Sequence, residues 1–134
     1  MSRGIYPFFD PPLPTLRFYS DGKAVLEHLA VLEDLAAVQG LVPLSTFMDP
    51  RKLSEDERGA LSIRAPNTDD AWEQWFAVEA GSNAIEALLN ALWKDDSLQA
   101  SLQDAPRVLE ELEFLAATLR TGKLRSSRFR FELY

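Results

Sequence analysis

The six residues Arg-Phe-Arg-Phe-Glu-Leu at positions 128–133 constrain the fold more than any other part of this sequence. Charged and apolar side chains alternate along them, and a period of two is the pattern of a β-strand with one buried face. We therefore predict a strand over about residues 126–133. Its core face would carry Phe129, Phe131 and Leu133, and its other face Arg128, Arg130 and Glu132.

This strand belongs to a basic end on an otherwise acidic chain. Residues 120–134 contain five basic side chains and one acidic one, whereas residues 1–119 contain nine basic and twenty acidic ones. The arginines could pair with acidic faces of the protein's own helices, line an exposed edge that docks a partner, or contact nucleic acid. Alternation disfavours nucleic acid, because phenylalanine and arginine would lie on opposite faces. The interaction candidates are Arg125, Arg128, Arg130 and Tyr134.

Three segments show the apolar periodicity of amphipathic helices. Helix A is predicted over about residues 22–39, followed by Gly40, and helix B from residue 78 or 82 to residue 94. Helix C is predicted to begin at Asp104 and Pro106 and to end at Gly122. The three apolar stripes are Val25, Leu29, Leu32 and Ala36; Ile85, Leu88, Leu89, Leu92 and Trp93; and Val108, Leu112, Leu115 and Leu119.

The remaining segments are less regular. Four prolines define an N-terminal arm over residues 1–15, which either packs on its own domain or exchanges between subunits. Short strands are expected at 16–19 and 72–76, and helical turns near 54–61 and 98–102. Core anchors are expected at Leu41, Val42, Leu44 and Phe47.

These elements predict a single α+β domain over residues 1–134, with three main helices packed on a small sheet that includes the C-terminal strand. Because fewer than four strands are secure, a mainly α-helical bundle with a short hairpin is the alternative. A chain of this length, 46% hydrophobic and 26% charged, can bury one real core.

Composition narrows the classes of function. The chain has no cysteine, which removes disulfides, thiolate nucleophiles and cysteine-based metal sites and fits a reducing cytoplasm. Its net charge of −7 disfavours nucleic-acid or anionic-membrane binding and favours a basic partner. No apolar run approaches the roughly 20 residues of a membrane span, and prolines interrupt the N-terminus where a signal peptide would be apolar. We therefore expect a cytoplasmic protein.

Catalytic chemistry has little support in the sequence. His28 is the only histidine, and no nucleophile or second metal ligand is spaced to serve it, so we expect a structural role. Gly81 before helix B is explained by helix initiation. No catalytic, cofactor-binding or metal residue is predicted. If a pocket exists, its best candidates are Asp69, Asp70, Trp72, Trp75 and His28.

Three short motifs within residues 41–94 carry a resemblance to a known family. They are Pro43-Leu44-Ser45-x-Phe47-x-Asp49, Trp75-Phe76-x-x-x-x-Gly81 and Ile85-Glu86-Ala87-Leu88-Leu89. With them the chain resembles a family of small acidic bacterial proteins of unknown function, whose members end in a helix followed by a strand. The resemblance implies no catalytic residue.

Three hypotheses of function follow. The first is a non-catalytic protein–protein interaction or regulatory module, in the manner of acidic immunity or inhibitor proteins. The second is a small-molecule-binding or enzymatic domain with a pocket near Trp72 and Trp75. The third is a structural homo-oligomer formed through the proline arm or the C-terminal strand.

Overall fold

A computed structural model describes residues 4–10, 22–48, 75–124 and 128–133 of the chain. Within them the architecture is the predicted α+β one, mostly helical with a small antiparallel sheet. In chain order the elements are β1 (Ile5–Asp10), α1 (Lys23–Glu27), α2 (Leu29–Gln39), a 3-10 helix (Leu44–Phe47), β2 (Phe76–Ala77), α3 (Val78–Lys94), α4 (Asp96–Gln99), α5 (Ala105–Lys123) and β3 (Arg128–Leu133). Among these described residues, no helix combines the length and apolarity that a bilayer span needs.

The C-terminal strand β3 is the central strand of the sheet, whose order is β1-β3-β2. Ile5 of β1 lies opposite Leu133 at one end of the antiparallel pair, and Asp10 lies opposite Arg128 at the other. On the opposite side of β3, Phe76 of β2 pairs with Phe129. On this second side, β3 is paired with β2 at Arg128 and Phe129 and bridged by Met48 at Phe131, so it is not an open edge at those three residues.

The inner face of the sheet is built by the alternation that the sequence displays. Phe129 and Phe131 are buried, as are Ile5 and Phe9 on β1. The ring of Phe129 stacks on that of Phe47 from the 3-10 helix at a centroid distance of 5.6 Å. The predicted division of β3 into a core face and a charged face is thus confirmed at its phenylalanines.

Two glycines let the helices approach this aromatic layer closely. A Cβ atom at Gly81 of α3 would lie well inside 3.0 Å of the Phe129 ring, and one at Gly122 of α5 equally close to the Phe9 ring. Gly122 does not end helix C as predicted, because α5 continues through it to Lys123. Gly81 likewise lies inside α3, so its role is close packing and not helix initiation.

Helix A is two helices instead of one. The chain leaves helical geometry at His28, with φ −104° and ψ 11°, so α1 ends there and α2 begins. The ring Nδ1 of His28 donates a hydrogen bond of 2.7 Å to the Ala24 carbonyl. Gly40 follows α2 in the left-handed conformation, φ 67°, as predicted.

Some of the other sequence predictions are confirmed and some are wrong. The beginning of helix C is confirmed, with Asp104 as the residue before α5. Leu44 is buried as expected, but Val42 and Trp93 are exposed, so both were wrongly assigned to the core. The predicted elements at 16–19 and 54–61, and the first residues of the one at 72–76, lie outside the described residues.

Candidate functional site

A groove of about 470 Å³ lies between helices α3 and α5. The two helices run antiparallel. Arg120 of α5 lies 3.6 Å from Glu86 of α3, and Lys123, further along α5, lies 3.5 Å from Glu79, which comes earlier in α3. Helix α5 presents one side chain per turn to the groove, at spacings of three and four residues, and α3 presents four side chains over about two turns. The lining consists of Glu86, Leu89, Asn90 and Trp93 from α3 and Glu113, Ala116 and Arg120 from α5.

Trp93 is the large apolar side chain of this groove, and 56% of it is exposed. The buried centre of the α3 stripe runs through Ile85, Leu88 and Leu92, which places Trp93 at its flank. The floor beneath is formed by the buried side chains of Leu89 and Ala116, and an alanine methyl is too small to cover an indole. The result is a concave, partly apolar surface with an exposed aromatic ring.

The charges of the groove lie at its two ends. Seven residues of helix separate Glu86 from Trp93, and seven separate Glu113 from Arg120, so the ends are roughly 10 Å apart. Arg120 forms an ion pair with Glu86 at one end, whereas Glu113 at the other forms no ion pair within the part of the chain that the structure describes. Two carboxylates against one guanidinium leave the groove acidic.

A second cluster covers the outer face of the sheet around Arg130, of which only 4% is exposed. Its guanidinium lies 4.2 Å from the ring centroid of Trp75 and 5.4 Å from that of Phe8. Arg130 Nε also donates to Glu132 Oε2 at 2.7 Å. A guanidinium enclosed by two rings and a carboxylate is neutralised and held in place, so it is not a free cation.

The rest of this outer face is likewise paired. Arg128 forms an ion pair with Asp10 and lies 5.1 Å above the Trp75 ring. Tyr6 donates a long hydrogen bond of 3.5 Å to Glu132, and burial together with that carboxylate raises the pKa of the Tyr6 hydroxyl. Arg128 and Arg130 therefore pair with acids of the strands. Arg120, from the same basic end of the chain, pairs instead with Glu86 of α3, on the helix predicted as helix B.

The predicted pocket residues are only partly described. Trp75 covers Arg128 and Arg130, whereas His28 bonds Ala24 between α1 and α2. The contacts of these two residues thus belong to different parts of the fold. Outside the described residues lie Arg125, Tyr134, Asp69, Asp70 and Trp72.

Two buried or half-buried carboxylates serve as helix caps. Glu111 of α5 accepts hydrogen bonds from the first turn of α1, and Glu33 of α2 accepts bonds of 3.0 and 2.9 Å from the N–H and hydroxyl of Ser45. Burial raises the pKa of the Glu33 carboxyl, although the bonds from Ser45 oppose that shift. Both groups are engaged by donors of the fold, which gives them a structural role.

The described residues contain no group of three or more histidine, aspartate and glutamate side chains placed to hold a metal ion. No family model, no curated protein and no solved structure matches this chain. The function of the candidate site is therefore inferred from its geometry alone.

The groove was not predicted, because Trp93 continues the apolar stripe of helix B and so resembles a core residue. A signal was present in α3, where the polar side chains of Glu86 and Asn90 precede Trp93 by seven and three residues. These three share one side of the helix, so a tryptophan in line with two polar groups indicates the border of the buried stripe.

Proposed function

We propose that the protein is a non-catalytic protein–protein interaction module with a regulatory role, as in an inhibitor or immunity protein, and that it docks its partner in the groove between α3 and α5. The observation that carries this proposal is the exposed indole of Trp93 in a concave surface. Tryptophan is among the residues that contribute most to protein interfaces, especially where an apolar floor excludes water.

Charge supports a basic partner surface. The groove carries the Glu86 and Glu113 carboxylates against the single guanidinium of Arg120. The whole chain has a net charge of −7, which repels a second copy of itself and attracts a basic protein over long range. Complementary potentials raise association rates and suppress wrong partners, both of which a regulatory module requires.

Site-specific photo-crosslinking tests the proposal. A benzophenone side chain at Asn90 lies in the groove beside Trp93, and the same group at Val38, an exposed position on α2, serves as a control. A partner of the groove is captured at position 90 and not at position 38. The captured protein is then purified and its affinity for designed variants is measured by calorimetry.

We expect W93A to weaken binding by roughly 30-fold, the effect of removing an interface hot spot of about 2 kcal/mol. V38A, which removes exposed apolar surface elsewhere, should leave the affinity unchanged within about twofold. E113Q should weaken binding at low salt and have less effect at high salt. Equal affinities for W93A and V38A, or equal capture at both positions, would refute docking in the groove.

A further inference from the structure

We infer that Arg120 is a built-in competitor in the groove: it occupies Glu86 in the free protein, and a basic side chain of the partner replaces it on binding. This inference rests on the proposed function of the groove. It assigns to the partner a specific chemistry, two basic side chains roughly 10 Å apart with an aliphatic group between them.

The ion pair between Arg120 and Glu86 is one that a partner can displace. The two side chains are 62% and 43% exposed, and the atoms Nε and Oε1 are 3.6 Å apart. Arg120 Nε also reaches the Ala116 carbonyl, but at 3.4 Å that hydrogen bond is long. Exposed ion pairs of this kind contribute little to stability, so replacing Arg120 requires little free energy.

The position of Arg120 lets it compete with a basic side chain of the partner for Glu86. Its guanidinium lies in the lining of the groove, on the carboxylate that a basic partner would contact at this end. As long as it remains there, it both neutralises Glu86 and repels an incoming cation. Arg130 on the sheet provides a contrast, because two rings and Glu132 enclose it.

The other end of the groove is open to the second basic side chain. Glu113 forms no ion pair among the described residues, and the exposed face of the Trp93 ring lines the same groove. A guanidinium stacks on an indole and pairs with a carboxylate at the same time, which an ammonium does less well. The geometry therefore favours arginine over lysine in the partner.

The distance between the two charged ends of the groove determines the design of a peptide probe. Two arginines about seven residues apart on one face of a helix are roughly 10 Å apart, and leucines between them would cover the floor formed by Leu89 and Ala116. The probe is an alanine- and glutamine-based helical peptide of about fifteen residues with this pattern. Its control carries citrulline, the neutral analogue of arginine, at both positions.

The decisive variant is R120Q, and K123Q is its matched control. Lys123 lies on the same helix and forms the neighbouring ion pair, 3.5 Å from Glu79, outside the groove lining. Both variants remove one positive charge, so long-range attraction of the probe increases equally. The peptide is titrated into each variant at low salt, and the affinity is measured by calorimetry. Comparison of the two variants isolates the local effect of Arg120.

We expect R120Q to bind the arginine peptide about fivefold more tightly than the unmodified protein, which corresponds to about 1 kcal/mol for an exposed pair. K123Q should change the affinity by less than about twofold, and the citrulline peptide should not distinguish R120Q from the unmodified protein. Thermal unfolding should show both variants folded.

Two results would overturn the inference and leave the proposed function in place: R120Q binding no more tightly than K123Q, or no binding of the arginine peptide to either. The proposed function is tested separately, by the loss of affinity in W93A for the crosslinked partner. If that loss is absent while the arginine peptide still binds R120Q more tightly, the groove binds cations but is not the partner's docking site.

Discussion

Glu111 presents a direct test of how this fold is held together, because it caps a helix from a distant part of the chain. Helix α1 begins after Gly22 and has no side-chain cap of its own. Instead, the N–H groups of Ala24 and Val25 donate to the two carboxylate oxygens of Glu111, at 3.2 and 3.0 Å. We predict that E111A destabilises the protein by about 3 kcal/mol.

The magnitude follows from burial. Ala24 and Val25 are buried and only 5% of Glu111 is exposed, so water cannot easily replace the lost acceptor. Each of the two charge-assisted hydrogen bonds contributes about 1.5–3 kcal/mol. Removing the carboxylate also relieves the unfavourable free energy of burying its charge, which Arg107 at 3.5 Å only partly offsets. The net loss is a large fraction of the roughly 5–15 kcal/mol that stabilises a domain.

Urea denaturation measures the effect, with E110A and E111Q as matched variants. Glu110 is the exposed neighbour, so E110A should lie within about 0.5 kcal/mol of the unmodified protein. In E111Q one amide oxygen can still accept from one N–H, and an intermediate loss of about 1–2 kcal/mol is expected. Amide exchange at Val25 should accelerate in E111A. If E111A unfolds at the same urea concentration as E110A, the capping argument is refuted.

Three further predictions concern the sheet and α2. G81A should lower the free energy of unfolding by about 1–3 kcal/mol in urea titrations, because the new methyl group meets the Phe129 ring. This loss is expected although alanine favours helices more than glycine does. A double-mutant cycle with F129L should show that the two positions are coupled. R130A should lower the unfolding free energy by about 3 kcal/mol and R128A by less than about 1, and equal losses would contradict the enclosed state of Arg130. The raised pKa of Glu33 means that the unfolded chain releases this proton first as pH rises, so the contribution of Glu33 to stability falls as pH rises from about 4.5 through the raised pKa. E33Q should remove this contribution from the pH dependence measured by urea titrations.

The elements that the sequence predicted well are those specified by neighbouring residues. The buried stripe of α3 follows from its own periodicity, and the beginning of α5 from Asp104 and Pro106. Gly40 after α2 needed only the preference of glycine for the left-handed conformation. In each case the physical cause lies within about one helical turn of the residue concerned.

The features that were missed depend on residues far apart in the chain. Gly122 resembles a helix terminator, and only the ring of Phe9 brought against it reveals a close-packing role. Arg130 resembles a surface charge until Trp75 is found above it. The exposure of Trp93 depends on the small size of Ala116 on the facing helix, which the periodicity of α3 does not contain.

The central position of β3 has a consequence for how the chain folds during synthesis. Strand β1 is made first, yet its hydrogen-bonding partner is the last described strand, with Ile5 opposite Leu133. On the ribosome β1 lacks its partner β3 while the five α-helices of the described residues are completed. Its buried face, which includes Ile5 and Phe9, is exposed during that interval. The sheet can close only after position 133 has left the exit tunnel, so slow translation of the preceding helices prolongs the period in which β1 is open to aggregation.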